Sequence, residues 1–298
     1  MKNLAKDKIL IFGGTGFVGS VFCQNFSRKY DITIVGSNFN YSSTNNIINL
    51  IKKVHPKFII YMSAISAIKK VDENLMDSFK ISYDYLKNVL ISSLSYNQKF
   101  KFLFVSSAQV YGFKNLSYNK TILPVNENFP LQPENTYAYL KIFSEEIVKK
   151  FCDNNDIFYS IARPFNHTGP TQNDDFLIPK ICKFAAQQKE QILELKDISE
   201  YRDYTDVRDI VDAYEKILLY GRDKEIYNVC SGISYKADDI ILLLNKLLNI
   251  NINYNFLKND KLNYFVGDFT KISDHTSWKP KIKLEETLIA ITEKYKIS

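Results

Sequence analysis

A glycine-rich turn near the start of the chain constrains the fold more than any other feature of the sequence. The apolar run Lys8–Phe12 leads directly into it, and a helical pattern over 18–26 follows. This order of strand, turn and helix is the context that a dinucleotide-binding loop requires. Gly13 would allow the tight turn, Gly16 would let a pyrophosphate approach the backbone, and Gly19 would let the helix lie close to the strand. The alternative is a glycine turn with only a structural role.

Apolar strands and helical segments continue to alternate along the chain. Further strands are predicted at Asp31–Val35, 57–63, Lys101–Val105, 158–163 and 226–229, and helices at Thr44–Val54, 72–96, 137–151, 176–188, 210–220, 236–248 and 284–295. This alternation predicts an α/β fold, with a parallel sheet covered by helices on both faces. We expect residues 1–165 to form a nucleotide-binding domain, to which segments around 201–230 return. Residues 166–298 are expected to form mainly a smaller substrate-binding lobe.

The predicted helix 72–96 carries a stripe of large apolar side chains at Leu75, Phe79, Tyr83, Leu86 and Leu90. Side chains spaced by three or four residues share one face of a helix. The stripe therefore predicts core packing or contact with a partner helix, in preference to a ligand site.

Tyr137 and Lys141 are four residues apart, in a segment that begins like a helix at 133–136. On a helix such residues share one face, so the phenol and the ammonium would point the same way. Tyrosine has an ordinary pKa of about 10, and a neighbouring cation favours the phenolate and lowers that pKa. The pair would make Tyr137 a usable proton donor or acceptor for a carbonyl and its alcohol. A chance Tyr-x-x-x-Lys on a surface helix is the alternative.

Two adjacent hydroxyls, Ser106 and Ser107, follow the predicted strand Lys101–Val105. Ligands of parallel sheets lie at the carboxyl ends of the strands. A serine at that edge is well placed to hydrogen-bond a substrate carbonyl, although serine is also a common loop residue.

The end of the strand Asp31–Val35 bears on the choice of dinucleotide. An acidic residue there would bind the ribose hydroxyls of NAD, but the sequence continues Gly-Ser-Asn-Phe-Asn. Small polar groups at Ser37 and Asn38, with no carboxylate to repel a 2′-phosphate, favour NADP(H). NAD(H) is the alternative, because no arginine stands there either.

Composition bears on whether the protein is membrane-bound, secreted, metal-binding or nucleic-acid-binding. The 298 residues carry a net charge of +6, four cysteines and three histidines. No apolar run approaches the roughly 18–20 residues of a membrane span, and we expect no signal peptide. The widely separated cysteines are expected to be free thiols in a cytoplasmic protein, and the scattered histidines predict no metal site. The dispersed lysines indicate either a lysine-rich surface or attraction of an anionic ligand, of which nucleic acid is the weaker candidate.

Three motifs now stand in order: the glycine loop, Ser-Ser-Ala-x-Val-Tyr-Gly at 106–112, and Tyr-x-x-x-Lys at 137–141. Together they resemble the extended short-chain dehydrogenase/reductases, the NAD-dependent epimerase/dehydratase family that modifies nucleotide sugars. The later segments 163–170, 202–214 and 226–232 look most like the branch of GDP-4-keto-6-deoxy-D-mannose reductases and related GDP-6-deoxy-sugar reductases. The resemblance covers essentially the whole chain and implies a Rossmann fold, with NAD(P) bound by the first domain.

The resemblance also implies roles for individual residues. The catalytic set would be Ser107 as hydroxyl, Tyr137 as proton donor and Lys141 as its electrostatic partner and ribose contact. Cofactor contacts would come from Gly13, Thr15, Gly16, Phe17, Val18, Ser37, Asn38, Ser63, Ala64, Tyr137 and Lys141, and substrate contacts from Ser107, Gln109, Asn166 and Arg202. An arginine fork suits a diphosphate, although Arg202 could instead form a salt bridge with Asp203 or Asp206. Arg163 and Arg208 are weaker candidates, and Arg208 could equally form a structural ion pair.

Two residues depart from the family pattern. Related 4,6-dehydratases have a catalytic carboxylate two positions after the catalytic hydroxyl, whereas this chain has Gln109, whose amide cannot act as a base. Dehydration is therefore disfavoured. Ser82 stands where many relatives have an asparagine that orients the catalytic helix, which leaves the arrangement of active-site water open.

The expected activity is reduction of the C4 keto group of a GDP-linked 4-keto-6-deoxy sugar, a hexose or a heptose, in the synthesis of surface polysaccharide precursors. An NAD-retaining nucleotide-sugar 4-epimerase is the alternative, and a 4,6-dehydratase is a weaker one. A non-catalytic nucleotide sensor on the same fold would be expected to lose Tyr137 or Lys141, and both are present. By the same resemblance we expect a homodimer, with the segments 72–96 and 137–151 pairing as a helix bundle.

Overall fold

A computed structural model describes residues 6–64, 68–96, 98–112, 124–187, 192–195, 200–256 and 263–296. Its main feature is a six-stranded sheet, whose strands are numbered along the chain as β1 (Lys8–Phe12), β2 (Asp31–Val35), β3 (Phe58–Tyr61), β4 (Lys101–Val105), β5 (Phe158–Pro164) and β9 (Glu225–Val229). Their order in the sheet is β2-β1-β3-β4-β5-β9. Every neighbouring pair is parallel, which confirms the predicted sheet.

Helices cover both faces of this sheet. The helices of this part of the chain are α1 (Phe17–Phe26), α2 (Thr44–Val54), α3 (Ile68–Glu73), α4 (Leu75–Lys80), α5 (Leu86–Ser93), α6 (Thr136–Asn154), α8 (Val207–Tyr220) and α10 (Thr270–Thr276). One apolar core lies between the sheet and α2, α5 and α6, and the other lies between the sheet and α1, α8 and α10. The α/β fold with a doubly wound parallel sheet is thus confirmed. Within the described residues, no helix is both long and apolar enough to span a membrane.

A second group of elements packs beside the sheet. Its strands are β6 (Asn166–Thr168), β7 (Leu193–Leu195), β8 (Tyr201–Asp206), β10 (Ser234–Tyr235), β11 (Tyr254–Phe256) and β12 (Tyr264–Phe265), and its helices are α7 (Leu177–Gln187), α9 (Ala237–Leu248) and α11 (Leu284–Lys296). Strand β8 pairs with β6, β10 and β12, while β7 pairs with β11. The three helices share a separate apolar core.

The long helical stretch predicted over 72–96 is helical for most of its length but is not one regular α-helix. The chain instead forms α3, α4, a π-helical turn at Ile81–Tyr85 and then α5. Asn74 leaves the helical region, with φ −128° and ψ 52°, because asparagine competes for backbone hydrogen bonds within a helix. Of the predicted stripe, Leu86 and Leu90 are buried in the core, whereas Leu75 and Phe79 are exposed.

The start of α8 also differs from the prediction. The helix begins at Val207, three residues before the predicted start, because Asp206 caps it by accepting a hydrogen bond from the Arg208 amide. The prediction rested on apolar periodicity, which begins only at Ile210. The three residues before it were missed because their helical state depends on the cap at Asp206.

The strand order places a crevice between β1 and β3. Strand β2 lies on one side of β1 and β3 lies on the other. The connection that follows β1 and the connection that follows β3 therefore run in opposite directions from the carboxyl ends of β1 and β3. Such a point is where open α/β sheets bind their ligands. The glycine turn, Ser63 and Ser107 all follow strands at this edge.

Candidate active site

The glycine turn after β1 has the geometry that the sequence predicts. Gly13 has φ +84°, and a Cβ atom there would lie 2.6 Å from the Ser63 backbone nitrogen. A Cβ atom at Gly19 would lie 2.4 Å from the Gly14 carbonyl oxygen. Ordinary side chains are excluded at both positions, so Gly13 makes the turn and Gly19 allows α1 to approach the loop.

Gly16 and the start of α1 fit a dinucleotide phosphate. A Cβ atom at Gly16 would meet only the Gly13 carbonyl oxygen, at 3.7 Å, so the backbone there borders open space. Gly16 caps α1 without a side-chain hydrogen bond, and no acidic residue lies in the first turn. The first amides of the helix, at Phe17 and Val18, are therefore available to an anion at the positive end of the helix dipole.

The turn after β2 lies beside this loop. Ser37 and Asn38 are exposed, and the Thr15 side chain packs so closely on Gly36 that a Cβ atom would lie 2.7 Å from it. Ser63 reaches the same place from β3, where its hydroxyl lies 3.4 Å from the hydroxyl of the buried Tyr41. Four of the predicted cofactor contacts, Thr15, Ser37, Asn38 and Ser63, thus lie at the ends of three neighbouring strands.

The catalytic candidates come from α6 and from the end of β4. Asn135 caps α6 by accepting a hydrogen bond from the Ala138 amide at 2.9 Å, which fixes the first turn that carries Tyr137. Ser107 follows β4, and its side chain lies close enough to Tyr137 to lower the pKa of that phenol. The structure therefore brings these two hydroxyls together.

The expected lowering of the Tyr137 pKa by Lys141 is wrong. Burial raises the pKa of Tyr137 to about 12, and the neighbouring Ser107 side chain opposes this only in part. The Lys141 Nζ atom lies 5.7 Å from the centre of the Tyr137 ring, and it donates a hydrogen bond to the Val105 carbonyl at 2.7 Å. Desolvation of the phenolate outweighs the cation at this distance, so the phenol stays protonated at neutral pH.

Lys141 is itself perturbed by its surroundings. It is 6% exposed, and burial lowers its pKa to about 8, while the nearby negative charge of Glu145 acts in the opposite direction. An ammonium group in contact with aromatic rings, here those of Phe104 and Tyr137, is still favoured by their electron-rich faces. Lys141 is thus a buried cation that titrates close to neutral pH.

Gln109 and Ser82 can now be placed. Gln109 lies on the 3₁₀ turn Ala108–Tyr111, and its side-chain oxygen is 3.4 Å from the Asn135 side-chain nitrogen, so the cap of α6 also orients this amide. Ser82 lies in the π-helical turn, where its carbonyl accepts a hydrogen bond from the Ser144 hydroxyl of α6 at 3.0 Å. The catalytic helix is therefore tied to this turn by a serine on α6.

The arginine candidates separate into distinct environments. Arg202 is partly exposed and pairs with Glu200. Arg208 makes the structural ion pair that was its alternative role, with two hydrogen bonds of 2.9 and 2.8 Å to Asp206. Arg163 is buried and hydrogen-bonded to Glu145 of α6, so it has a structural role and is not exposed to a ligand.

Asn166 lies on β6 and is half-buried, in register with Tyr204 of β8. It follows the carboxyl end of β5, at the edge that carries Ser107. Its predicted contact with a substrate diphosphate stays a prediction.

Two residues that sequence reasoning missed complete the site, Asn135 and Glu145. A signal existed for both: Asn135 directly precedes the helix as a capping residue, and Glu145 stands one further turn beyond Lys141 on the same helix face. All four cysteines are free thiols, as predicted. Among the described residues, no three His, Cys, Asp or Glu side chains are grouped as metal ligands.

Comparison with known proteins agrees with this geometry. The model of the NAD dependent epimerase/dehydratase family matches residues 9–230. The GDP-6-deoxy-D-mannose reductase of Pseudomonas aeruginosa is 31% identical over 198 residues, which span 64% of this chain and 64% of that relative. The GDP-6-deoxy-D-talose 4-dehydrogenase of Aggregatibacter actinomycetemcomitans is 26% identical over 274 residues, 89% of this chain and 90% of that one.

A solved structure shows the same fold. The structure of RMD from Pseudomonas aeruginosa complexed with NADPH matches with a TM-score of 0.88 at 24% identity, over 98% of both chains. The family model covers most of the chain, including the glycine turn, Ser107 and the Tyr137–Lys141 pair. The protein therefore belongs to the NAD dependent epimerase/dehydratase family, whose members act on nucleotide sugars.

Proposed function

We propose that this protein uses NADPH to reduce the C4 keto group of a GDP-linked 4-keto-6-deoxy sugar, in the synthesis of surface polysaccharide precursors. One observation carries the proposal. Ser107, Tyr137 and Lys141 lie together: the Ser107 side chain is close enough to lower the pKa of Tyr137, and the Lys141 Nζ atom lies 5.7 Å from the centre of the Tyr137 ring. The neighbouring position that would hold a dehydratase base is Gln109. The site thus offers an acid for a carbonyl oxygen and lacks a carboxylate at position 109 to remove a C5 proton.

The chain would act by binding, orienting and protonating the keto sugar. When bound, the dinucleotide supplies the hydride that adds to C4. The Ser107 hydroxyl holds the C4 oxygen, and Tyr137 donates its phenolic proton as negative charge develops on that oxygen. The charge of Lys141 stabilises the phenolate that remains, and Ser107 can donate to the same phenolate.

The raised pKa of Tyr137 suits this direction of reaction. A phenol with a pKa of about 12 is fully protonated at neutral pH, so the acid form is present whenever substrate arrives. An alkoxide formed at C4 is a far stronger base than this phenolate, so proton transfer is favourable. Transfer of the phenolic proton from Tyr137 to the C4 oxygen yields the product alcohol and leaves Tyr137 as a phenolate.

We assign the nucleotide and substrate contacts as the sequence predicts them. The glycine turn and α1 hold the pyrophosphate, Ser37 and Asn38 face the adenosine ribose, and residues 1–165 with the segments around 201–230 form the cofactor domain. Residues 166–298 supply most of the substrate lobe, including Asn166 and Arg202. Substrate phosphate would then displace Glu200 from Arg202, because a diphosphate carries more charge than one carboxylate.

The relatives support a GDP sugar and NADPH. The reductase and the 4-dehydrogenase that this chain resembles both act, by their names, on GDP-6-deoxy sugars. The similar solved structure holds NADPH. With no carboxylate after β2, NADP(H) is favoured over NAD(H) for this chain as well.

A nucleotide-sugar 4-epimerase that retains NAD is the alternative function. It requires the same tyrosine, lysine and serine, and it belongs to the family whose model matches. The purified protein distinguishes the two, since an epimerase would carry a tightly bound dinucleotide whose absorbance copurifies. A reductase exchanges its cofactor in each turnover and would be purified largely without it.

We also propose a homodimer formed through α4 and α6. Met76 is 79% exposed, and Phe79 on α4 stacks against Phe143 of α6, with ring centres 6.2 Å apart and both side chains more than 40% exposed. Contiguous apolar side chains on two neighbouring helices favour association with a second copy. Met76→Glu should convert a dimer to a monomer in light scattering after gel filtration, and a monomeric wild type would contradict the proposal.

The catalytic assignment is tested by Tyr137→Phe. We expect turnover of the keto sugar to fall by at least about 100-fold, because the general acid is lost, while NADPH binding is retained. Tyr139→Phe is the matched control, since this tyrosine lies on the same helix and is 61% exposed. Wild-type turnover in the Tyr137 variant would refute the mechanism.

A further inference from the structure

Glu145 is a buried carboxylate to which no role in the reaction has been given. It lies on α6 one turn beyond Lys141, and the residue is 0% exposed. An enclosed carboxylate is tolerated only when it is paired and hydrogen-bonded. Its partners therefore show what it holds in place.

Both oxygens of Glu145 are occupied. Oε1 accepts hydrogen bonds from the Ser106 hydroxyl at 2.5 Å and from Arg163 Nε at 2.9 Å, and Oε2 accepts one from Arg163 Nη2 at 2.6 Å. Ser106 follows β4 and Arg163 lies on β5. One carboxylate thus joins the catalytic helix to the ends of two strands.

Ser107 and Gln109 lie in the segment 106–111, and these hydrogen bonds fix both ends of that segment. At the start, the Ser106 amide donates to the Ala162 carbonyl at 2.8 Å while its hydroxyl donates to Glu145. At the far end, Arg163 Nη1 donates to the Tyr111 hydroxyl at 2.9 Å. The Tyr111 hydroxyl in turn donates to the side-chain oxygen of Asn228 on β9, at 2.8 Å.

The charge of Glu145 also compensates that of Lys141, one turn away on α6. The lysine donates to a neutral carbonyl, that of Val105, and otherwise contacts aromatic rings. The negative charge of Glu145 raises the pKa of Lys141 against the effect of burial. Without that charge, an amine in this environment would release its proton more readily.

Charged groups on the other elements around α6 are engaged elsewhere. Arg163 on β5 is bonded to Glu145, and Asp84 and Lys87 of the π-helical turn and α5 pair with each other at 3.2 Å, with both side chains exposed. Asp72 and Glu73 of α3 are exposed to solvent. The titratable neighbours Tyr137 and Tyr111 remain as neutral phenols at neutral pH, since burial raises both pKa values to about 12.

We propose that Glu145 is a positioning residue for the reaction, which keeps Lys141 charged and fixes the Ser107 segment against the catalytic helix. This rests on the proposed function, because Lys141 and Ser107 are its catalytic residues. The carboxylate touches neither substrate nor cofactor and acts through the two groups that do. Its removal should change the pH range of activity, which a purely structural contact would not do.

The direct test is the titration of Lys141, followed by NMR of protein labelled with ¹³C at lysine Cε and assigned by Lys141→Met. In Glu145→Gln the Lys141 midpoint should move down by about one pH unit or more, which is typical of losing an opposite charge at this range. Glu146→Gln is the matched control, because Glu146 is adjacent but half-exposed and paired with Lys149. There the midpoint should stay at its wild-type value.

Glu145→Gln leaves Arg163 as a buried cation without its partner, which can prevent folding. The double variant Glu145→Gln/Arg163→Met removes both charges and keeps the volume, so it tests the same point in a folded protein. An unchanged Lys141 midpoint in either folded variant would overturn the proposal. This measurement needs no keto sugar, so it gives its answer even when the proposed substrate is wrong.

Kinetics gives the second test. The high-pH limb of kcat should move to lower pH in Glu145→Gln, so that activity at pH 8 falls about fivefold more than activity at pH 6. Ser106→Ala removes the hydrogen bond but keeps the charge, so it should lower kcat equally at both pH values. If Glu145→Gln lowers kcat by the same factor at pH 6 and pH 8, Glu145 has only a structural role, and its proposed effect on Lys141 is refuted.

Discussion

Substitution of single glycines in the loop after β1 separates packing of the fold from binding of the cofactor. In Gly19→Ala, the new Cβ atom would lie 2.4 Å from the Gly14 carbonyl oxygen, about 1 Å closer than ordinary contact. The atoms it meets are backbone, so the loop itself must move. Overpacking of this kind costs about 1–3 kcal/mol, and alanine in a helix recovers up to about 1 kcal/mol. We expect a net loss of about 1–2 kcal/mol and a melting temperature lower by about 2–4 °C.

Gly16→Ala is the matched control for stability. Its Cβ atom would enter open space, with the nearest atom at 3.7 Å, so the melting temperature should stay within about 1 °C of wild type. The same methyl group would hold a phosphate away from the α1 amides, which should weaken NADPH binding by about tenfold or more. Scanning fluorimetry and quenching of NADPH fluorescence measure the two quantities. A wild-type melting temperature in Gly19→Ala would refute the packing argument, and unchanged NADPH affinity in Gly16→Ala would refute the phosphate site.

Further predictions concern the pH dependence of turnover and the roles of Arg202 on β8 and Arg208 on α8. Turnover should fall as pH rises through about 8, because Lys141 is charged below that pKa and neutral above it, and a profile that stays flat to pH 9.5 would exclude this role. Arg202→Gln should raise KM for the sugar nucleotide by about 10–100-fold at unchanged melting temperature, because a charged hydrogen bond to phosphate is lost. Arg208→Gln should leave KM unchanged, since that arginine pairs with Asp206, and steady-state kinetics on both variants decides between the assignments.

The sequence was sufficient for the sheet because its signals there are local. Short apolar runs, a glycine turn and alternating helices predicted all six strands of the main sheet, and Gly13 and Gly19 have the close contacts expected of them. The segment 72–96 shows the limit of such reasoning. Its apolar spacing suits one helix, yet Asn74 interrupts it and Tyr61 and Ser144 supply side-chain hydroxyls to the carbonyls of the π-helical turn.

For the site, residue types could be predicted from the sequence, whereas their environment required the structure. The pairing of Tyr137 with Lys141 followed from helical spacing, but the sign of the Tyr137 pKa shift depends on burial, which spacing does not report. Glu145 was missed for a related reason. Its partners, Ser106 and Arg163, come from separate strands, and only the folded sheet brings them to one carboxylate.

The most direct test of the central claim is to follow NADPH and NADH absorbance with enzyme and GDP-4-keto-6-deoxy-mannose. Reduction at C4 predicts rapid, stoichiometric oxidation, with NADPH preferred over NADH because no carboxylate follows β2. A sugar isomer formed at constant cofactor absorbance would instead establish a 4-epimerase. Oxidation of neither cofactor with this sugar or with its heptose analogue would contradict the proposed reduction.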